Sequence, residues 1–122
     1  MPSRNVVDRF VETVVGGDHV GAIERFYVPG ASMRENQAEP RVGREGLMRH
    51  EEGVMGAFQS IETEIIGPAL IDGDHVAIQW KFTFTPRGGE TRTLQEIAWQ
   101  RWEGDKIAEE TFFYDPRQMA GA

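Results

Sequence analysis

Between His75 and Thr85 the chain reads HVAIQWKFTFT, with an apolar residue at every second position. Val76, Ile78, Trp80, Phe82 and Phe84 fall on one side of an extended chain, and Ala77, Gln79, Lys81, Thr83 and Thr85 fall on the other. This is the pattern of a half-buried strand. The apolar side is mostly aromatic, which suits the floor of a wide core or of a small-molecule cavity. Helical periodicity precedes this strand and further strands follow it.

Upstream, Ser3 is placed to cap a helix in which Val6, Val7, Phe10, Val11 and Val14 repeat at three-to-four spacing up to Gly16-Gly17. Asp18 restarts the helix. Val20, Ile23 and Phe26 make its apolar stripe, with Tyr27 beside it, and Val28-Pro29-Gly30 breaks it. Ala31 to Glu35 is a short strand candidate, followed by a polar loop through Pro40. Gly43 opens a third helix reaching about Phe58, with Leu47, Val54 and Phe58 on its apolar face and His50 on or beside that stripe.

From Ile61 onward the period is two, with strands near 61–71, 75–85, 91–102 and 106–115. Asp72-Gly73-Asp74, Pro86-Arg87-Gly88-Gly89 and Glu103-Gly104-Asp105 supply hairpin connections between them. Helices followed by an antiparallel meander define an α+β chain, its helices packed on one face of a curved sheet. At 122 residues it is long enough for one domain and too short for two.

Composition narrows the function classes. With no cysteine there is no disulfide, thiolate nucleophile or cysteine-ligated metal. A formal charge of −7, with the basic residues scattered, argues against nucleic acid, because a phosphate backbone needs clustered Lys and Arg. No stretch approaches the roughly 20 apolar residues of a membrane span and no leader-like run opens the chain, so a cytoplasmic protein without membrane partners is expected.

Charge meets the apolar faces in three places. In the last strand Ala108, Glu110, Phe112 and Tyr114 share the more apolar side, opposite Ile107, Glu109, Thr111, Phe113 and Asp115. If that side points inward, Glu110 goes with it, and a buried carboxylate must be solvated, paired or protonated. In the preceding strand Leu94, Glu96, Ala98, Gln100 and Trp102 alternate with Gln95, Ile97, Trp99 and Arg101, and either face could be inside. His50 reads either as a hydrogen-bonded boundary histidine or as a proton-transfer group. Tyr27 and Tyr114 read as core anchors with wetted hydroxyls.

The segments VVDRFVETVVGGDHVGAIERFY and ASMRENQAEPRVGREGLM, followed by a meander closing in FFYDP, resemble the nuclear transport factor 2-like superfamily over nearly the whole chain. The closest likeness is to SnoaL-like polyketide cyclases and ketosteroid isomerase. The resemblance implies a cone in which a bent antiparallel sheet wraps about three helices around a pocket, and pairing of two chains through the outer sheet face. It places Glu35 where the isomerase has its carboxylate base, Phe10 where it has a tyrosine donor, and Ala98 where it has a protonated aspartate. Both oxyanion donors are therefore missing, which argues against steroid isomerisation by that route. The same register points Trp80, Phe82, Phe84, Glu96, Gln100, Glu110, Phe112 and Tyr114 into the pocket, and sets His50 on its helix-three wall near Val54.

Two functions follow from the resemblance. In one, Glu35 is the general base of an isomerase or cyclase acting on a small apolar substrate, with His50 or Glu110 as its proton partner; water activation of the epoxide-hydrolase kind is a variant. In the other, the chain is a non-catalytic module that binds a hydrophobic ligand or forms a homodimer. A metal held by His50, Glu35 and Glu110 would rest on one histidine, so neither metal nor cofactor is expected. Outward Ile97, Trp99 and Phe113 would leave an apolar patch, which argues for a homodimer through the outer sheet face.

Overall fold

The computed structural model describes residues 1–119. Three helices, α1 (Arg4–Val15), α2 (His19–Phe26) and α3 (Arg44–Ala57), pack on a curved, unclosed sheet. Its strands are β1 (Tyr27–Glu35), β2 (Arg41–Val42), β3 (Phe58–Asp72), β4 (His75–Pro86), β5 (Arg92–Glu103) and β6 (Lys106–Phe113). Their order across the sheet is β2-β1-β6-β5-β4-β3. From β3 to β6 all pairs are antiparallel, as the meander implies. β1 departs from that pattern and runs parallel to β6, so the sheet is mixed.

Local chemistry fixes the two helix starts. The Ser3 hydroxyl accepts from the Val6 amide at 3.1 Å, and Asp18 Oδ1 accepts from the Gly21 amide at 2.9 Å. A Cβ on Gly21 would lie 2.1 Å from the Asp18 carboxylate, so the glycine makes room for the cap. In α2 the buried residues are His19, Ala22 and Ile23, whereas Val20 is only half-buried. Tyr27 is not in the helix: it is the first residue of β1.

Phe10 lies at the centre of the core, in edge-to-face contact with Phe26, Tyr27, Trp80 and Trp102 at centroid distances of 5.6 to 6.5 Å. Val76, Ile78, Trp80 and Phe84 of β4 are buried with Phe82 packed beside them, as the alternation predicts. On β5 the buried side is Leu94, Glu96, Ala98, Gln100 and Trp102, which resolves the face that the sequence left open. β6 breaks its own alternation. Arg101 pairs with Glu109 but Trp102 pairs with Ile107, so Ala108 is an extra residue in a β-bulge. The bulge turns Ile107 inward, against the strict two-residue period, while Glu110 stays inward opposite Gln100.

α3 contributes only Leu47 to the buried core; Val54, Met48 and Met55 are half-buried. Met48 packs against the core, while His50, Glu51 and Val54 border open space. Among the described residues no helix is long and apolar enough to cross a membrane.

Candidate functional site

The concave face of the sheet and the inner sides of α1, α2 and α3 enclose a cavity of about 170 Å³. Aromatic side chains form part of its wall: Phe10 from α1, Trp80, Phe82 and Phe84 from β4, and Phe112 from β6. Val54 and His50 face it from α3, and Tyr27, Glu35, Glu96 and Glu110 complete its polar lining together with His19, Arg41 and Glu51. Three expected lining residues lie outside. Ala98 and Gln100 are buried behind the wall, and Tyr114 falls beyond the end of β6, which stops at Phe113. Burial, then the charges of Glu35 and Glu96, raises the Tyr114 phenol.

Glu110 is the most constrained of the polar groups. Its carboxylate is 3% exposed and accepts a hydrogen bond from the Tyr27 hydroxyl on Oε1 and one from Gln100 Nε2 at 2.6 Å on Oε2. Trp102 Nε1 donates to Gln100 Oε1 at 2.9 Å, which fixes the amide so that its NH2 points at the acid. Burial pushes the Glu110 carboxyl up to about 7, while the two donors hold it down. Tyr27 is itself raised well above its ordinary value by burial and by the Glu110 charge, so it remains a donor.

Glu96 lies on the same wall, 9% exposed. Burial, then the neighbouring Glu110 charge, pushes it up to about 8. A group with that value is protonated at neutral pH.

Glu35 differs from both. It sits at the rim with its side chain 44% exposed, 3.5 Å from the Arg41 guanidinium. His50, also at the rim, is exposed. The cavity thus brings Glu35, His50 and Glu110 to one space, with only Glu110 deep inside.

A second polar cluster escaped the sequence analysis. His19 Nδ1 is 3.2 Å from Glu51 Oε2, and His19 Nε2 is 2.8 Å from Thr63 Oγ1, joining α2, α3 and β3. These residues are 32 and 44 positions apart from His19, and no local pattern ties them together. The one available signal was spacing, since His19, Ala22, Ile23 and Phe26 also form a helical stripe. Among the described residues no three His, Asp or Glu side chains converge to hold a metal ion.

The architecture and the sequence both point to one family, since the SnoaL-like domain model matches residues 7–110. The chain belongs to the SnoaL-like domain family. The SnoaL-like domain also matches solved structures along nearly its whole length. A Mesorhizobium loti protein, provisionally described as a SnoaL-like polyketide cyclase, is 27% identical with a TM-score of 0.77, over 93% of this chain and 100% of that one. A Xanthomonas campestris protein of cystatin-like fold and unknown function is 18% identical with a TM-score of 0.81, over 98% and 95% of the two chains. An NTF2-like protein of unknown function from Burkholderia pseudomallei is 13% identical with a TM-score of 0.80, over 96% and 95%. The latter two likenesses concern the fold alone. Among curated proteins none matches the chain.

Proposed function

We propose that this SnoaL-like domain is a proton-transfer enzyme acting on a small, largely apolar molecule, with Glu110 as its general base. The observation that carries this reading is a carboxyl 3% exposed, on the wall of an aromatic cavity, whose ionisation burial has moved to about pH 7. A base works best when its pKa lies near the working pH. Tyr27 and Gln100 orient the carboxylate, and Trp102 orients Gln100.

In the proposed step a C–H bond next to a carbonyl breaks, its proton goes to a Glu110 oxygen, and the electron pair moves onto the carbonyl as an enolate. Return of the proton to another carbon is isomerisation; attack of the enolate carbon on a second carbonyl is cyclisation. Glu35 was the expected base, but its rim position beside Arg41 suits it better to exchange the proton with water, together with His50. Phe10 and Ala98 offer no donor to an oxyanion, so the two-donor arrangement of steroid isomerisation forms no part of this reading.

Ring opening of 5-nitrobenzisoxazole, which needs only removal of one C–H proton and yields a coloured phenolate, tests the base. The rate is expected to rise through about pH 7 and to fall at least roughly tenfold in Glu110→Gln. Equal rates in Glu110→Gln and wild type would remove Glu110 as base. Ligand binding without any acceleration would favour the non-catalytic pocket protein instead.

One observation favours assembly beside catalysis. Ile66, Ile97 and Phe113 lie in one register row across the outer sheet face, with Leu70 and Trp99 in the next, and all five are exposed. A homodimer through this face is proposed. Light scattering should give twice the chain mass, and Trp99→Glu should return the monomer.

A further inference from the structure

Four carboxyl side chains border the cavity, and two of them have charged or chargeable partners: Glu35 with Arg41 and Glu51 with His19. Glu110 is satisfied by two neutral donors. Glu96 is different. It is 9% exposed, its side chain lines the cavity, and among the described residues nothing hydrogen-bonds to it or pairs with it. The proton-transfer reading leaves this group unused.

A buried carboxylate with no countercharge is costly, so the empty protein keeps the proton on Glu96. The titratable and charged groups that share its cavity are Glu110 on β6, Tyr27 and Glu35 on β1, Arg41 on β2, His50 and Glu51 on α3, and His19 on α2, with Tyr114 after β6 also within reach of its charge. Of these the three neighbouring acids raise Glu96, and Arg41 is engaged with Glu35. The protein therefore builds the anion's position without building its cation. Close by, Trp80 and Phe82 present ring systems to the same space, and an aromatic face attracts a cation by its quadrupole. Negative charge on one side and ring faces on the other are the two features that recognise an organic ammonium ion.

We infer that the cavity takes an organic ammonium ion, its charged head against Glu96 and its apolar body on Trp80 and Phe82. This deepens the reading above and rests on its premise that the cavity binds a small molecule. Binding exchanges the Glu96 proton for the ligand's charge, so affinity increases with pH until Glu96 is ionised without help. Glu110 stays free to accept a proton from the bound molecule.

Calorimetric titration with cyclohexylammonium and with cyclohexanol, which share size and shape but not charge, tests the inference. At pH 8 the ammonium ion is expected to bind about tenfold or more tightly than the alcohol, a preference of about 1.4 kcal/mol or more. Its affinity should rise well over tenfold from pH 6 to pH 8 while that of the alcohol stays flat. Glu96→Gln should bring the two ligands within about twofold of each other without weakening the alcohol, which also shows that the variant keeps its cavity. Equal binding of both ligands by the wild type would overturn the ammonium inference and leave the small-molecule reading standing. A preference that survives Glu96→Gln would overturn Glu96 as the anchor, and binding of neither ligand would remove both readings.

Discussion

The deep wall of the cavity and its rim carry the same side chain in opposite circumstances. On the wall, β5 and β6 hold Glu96 and Glu110 largely buried beside aromatic rings, and among the described residues no cation pairs with either. At the rim, β1 and β2 hold Glu35 half in solvent beside Arg41. Water and a guanidinium stabilise a carboxylate; an apolar wall destabilises it. Identical chemistry thus gives two buried groups that titrate near neutrality on the wall, and at the rim a half-exposed one paired with a guanidinium.

The largest expected effect comes from removing the buried proton equilibrium. Folded Glu96 holds its proton up to about pH 8, against 4.5 for the ordinary side chain. Between those values the folded state binds more protons than the unfolded one, so this group's contribution is fully present below about pH 4.5 and is lost as pH rises through 8. Glutamine has no proton to lose. Glu96→Gln is therefore expected to exceed wild type in denaturant stability at pH 8 by on the order of 4 kcal/mol. The difference should shrink toward pH 5; a pH-independent difference would break the contrast between wall and rim.

A smaller effect should follow from Tyr27→Phe, which removes one of the two donors that hold the Glu110 carboxyl down. The midpoint of Glu110 is expected to rise by roughly one unit, and stability at pH 8 to fall by about 1 to 3 kcal/mol. A pH profile of ring opening and a urea titration check the two halves. Glu35→Gln should do least, because an exposed pair contributes under about 1 kcal/mol. A larger loss in its urea midpoint would show that the rim is as constrained as the wall.

Much of this contrast is legible in the amino-acid sequence. The two-residue period of β4 and the helical repeat of α1 each report one buried face, and in both the alternation matches the observed burial. Glu110 could be placed inward because Ala108 and Phe112 flank it. Elsewhere local pattern was insufficient. The outer face of β5 carries Ile97 and Trp99, apolar enough to rival the inner one, so the side taken by Glu96 depended on what packs against it. A strict two-residue period puts Ile107 outward, because it cannot register the extra residue at Ala108. The parallel pairing of β1 with β6 joins residues 77 to 80 positions apart, beyond any turn signal. The His19 cluster and the Tyr27–Glu110 contact, 83 residues apart, likewise exist only once the sheet has folded.

The cavity holds two carboxyls poised between charged and neutral. Carbon-13 NMR titration of the glutamate side-chain carboxyls, with Glu96→Gln and Glu110→Gln used for assignment, measures this directly. The expected result is one resonance titrating near pH 7 for Glu110 and one near pH 8 for Glu96. Midpoints for both at the ordinary value of 4.5 would contradict the account.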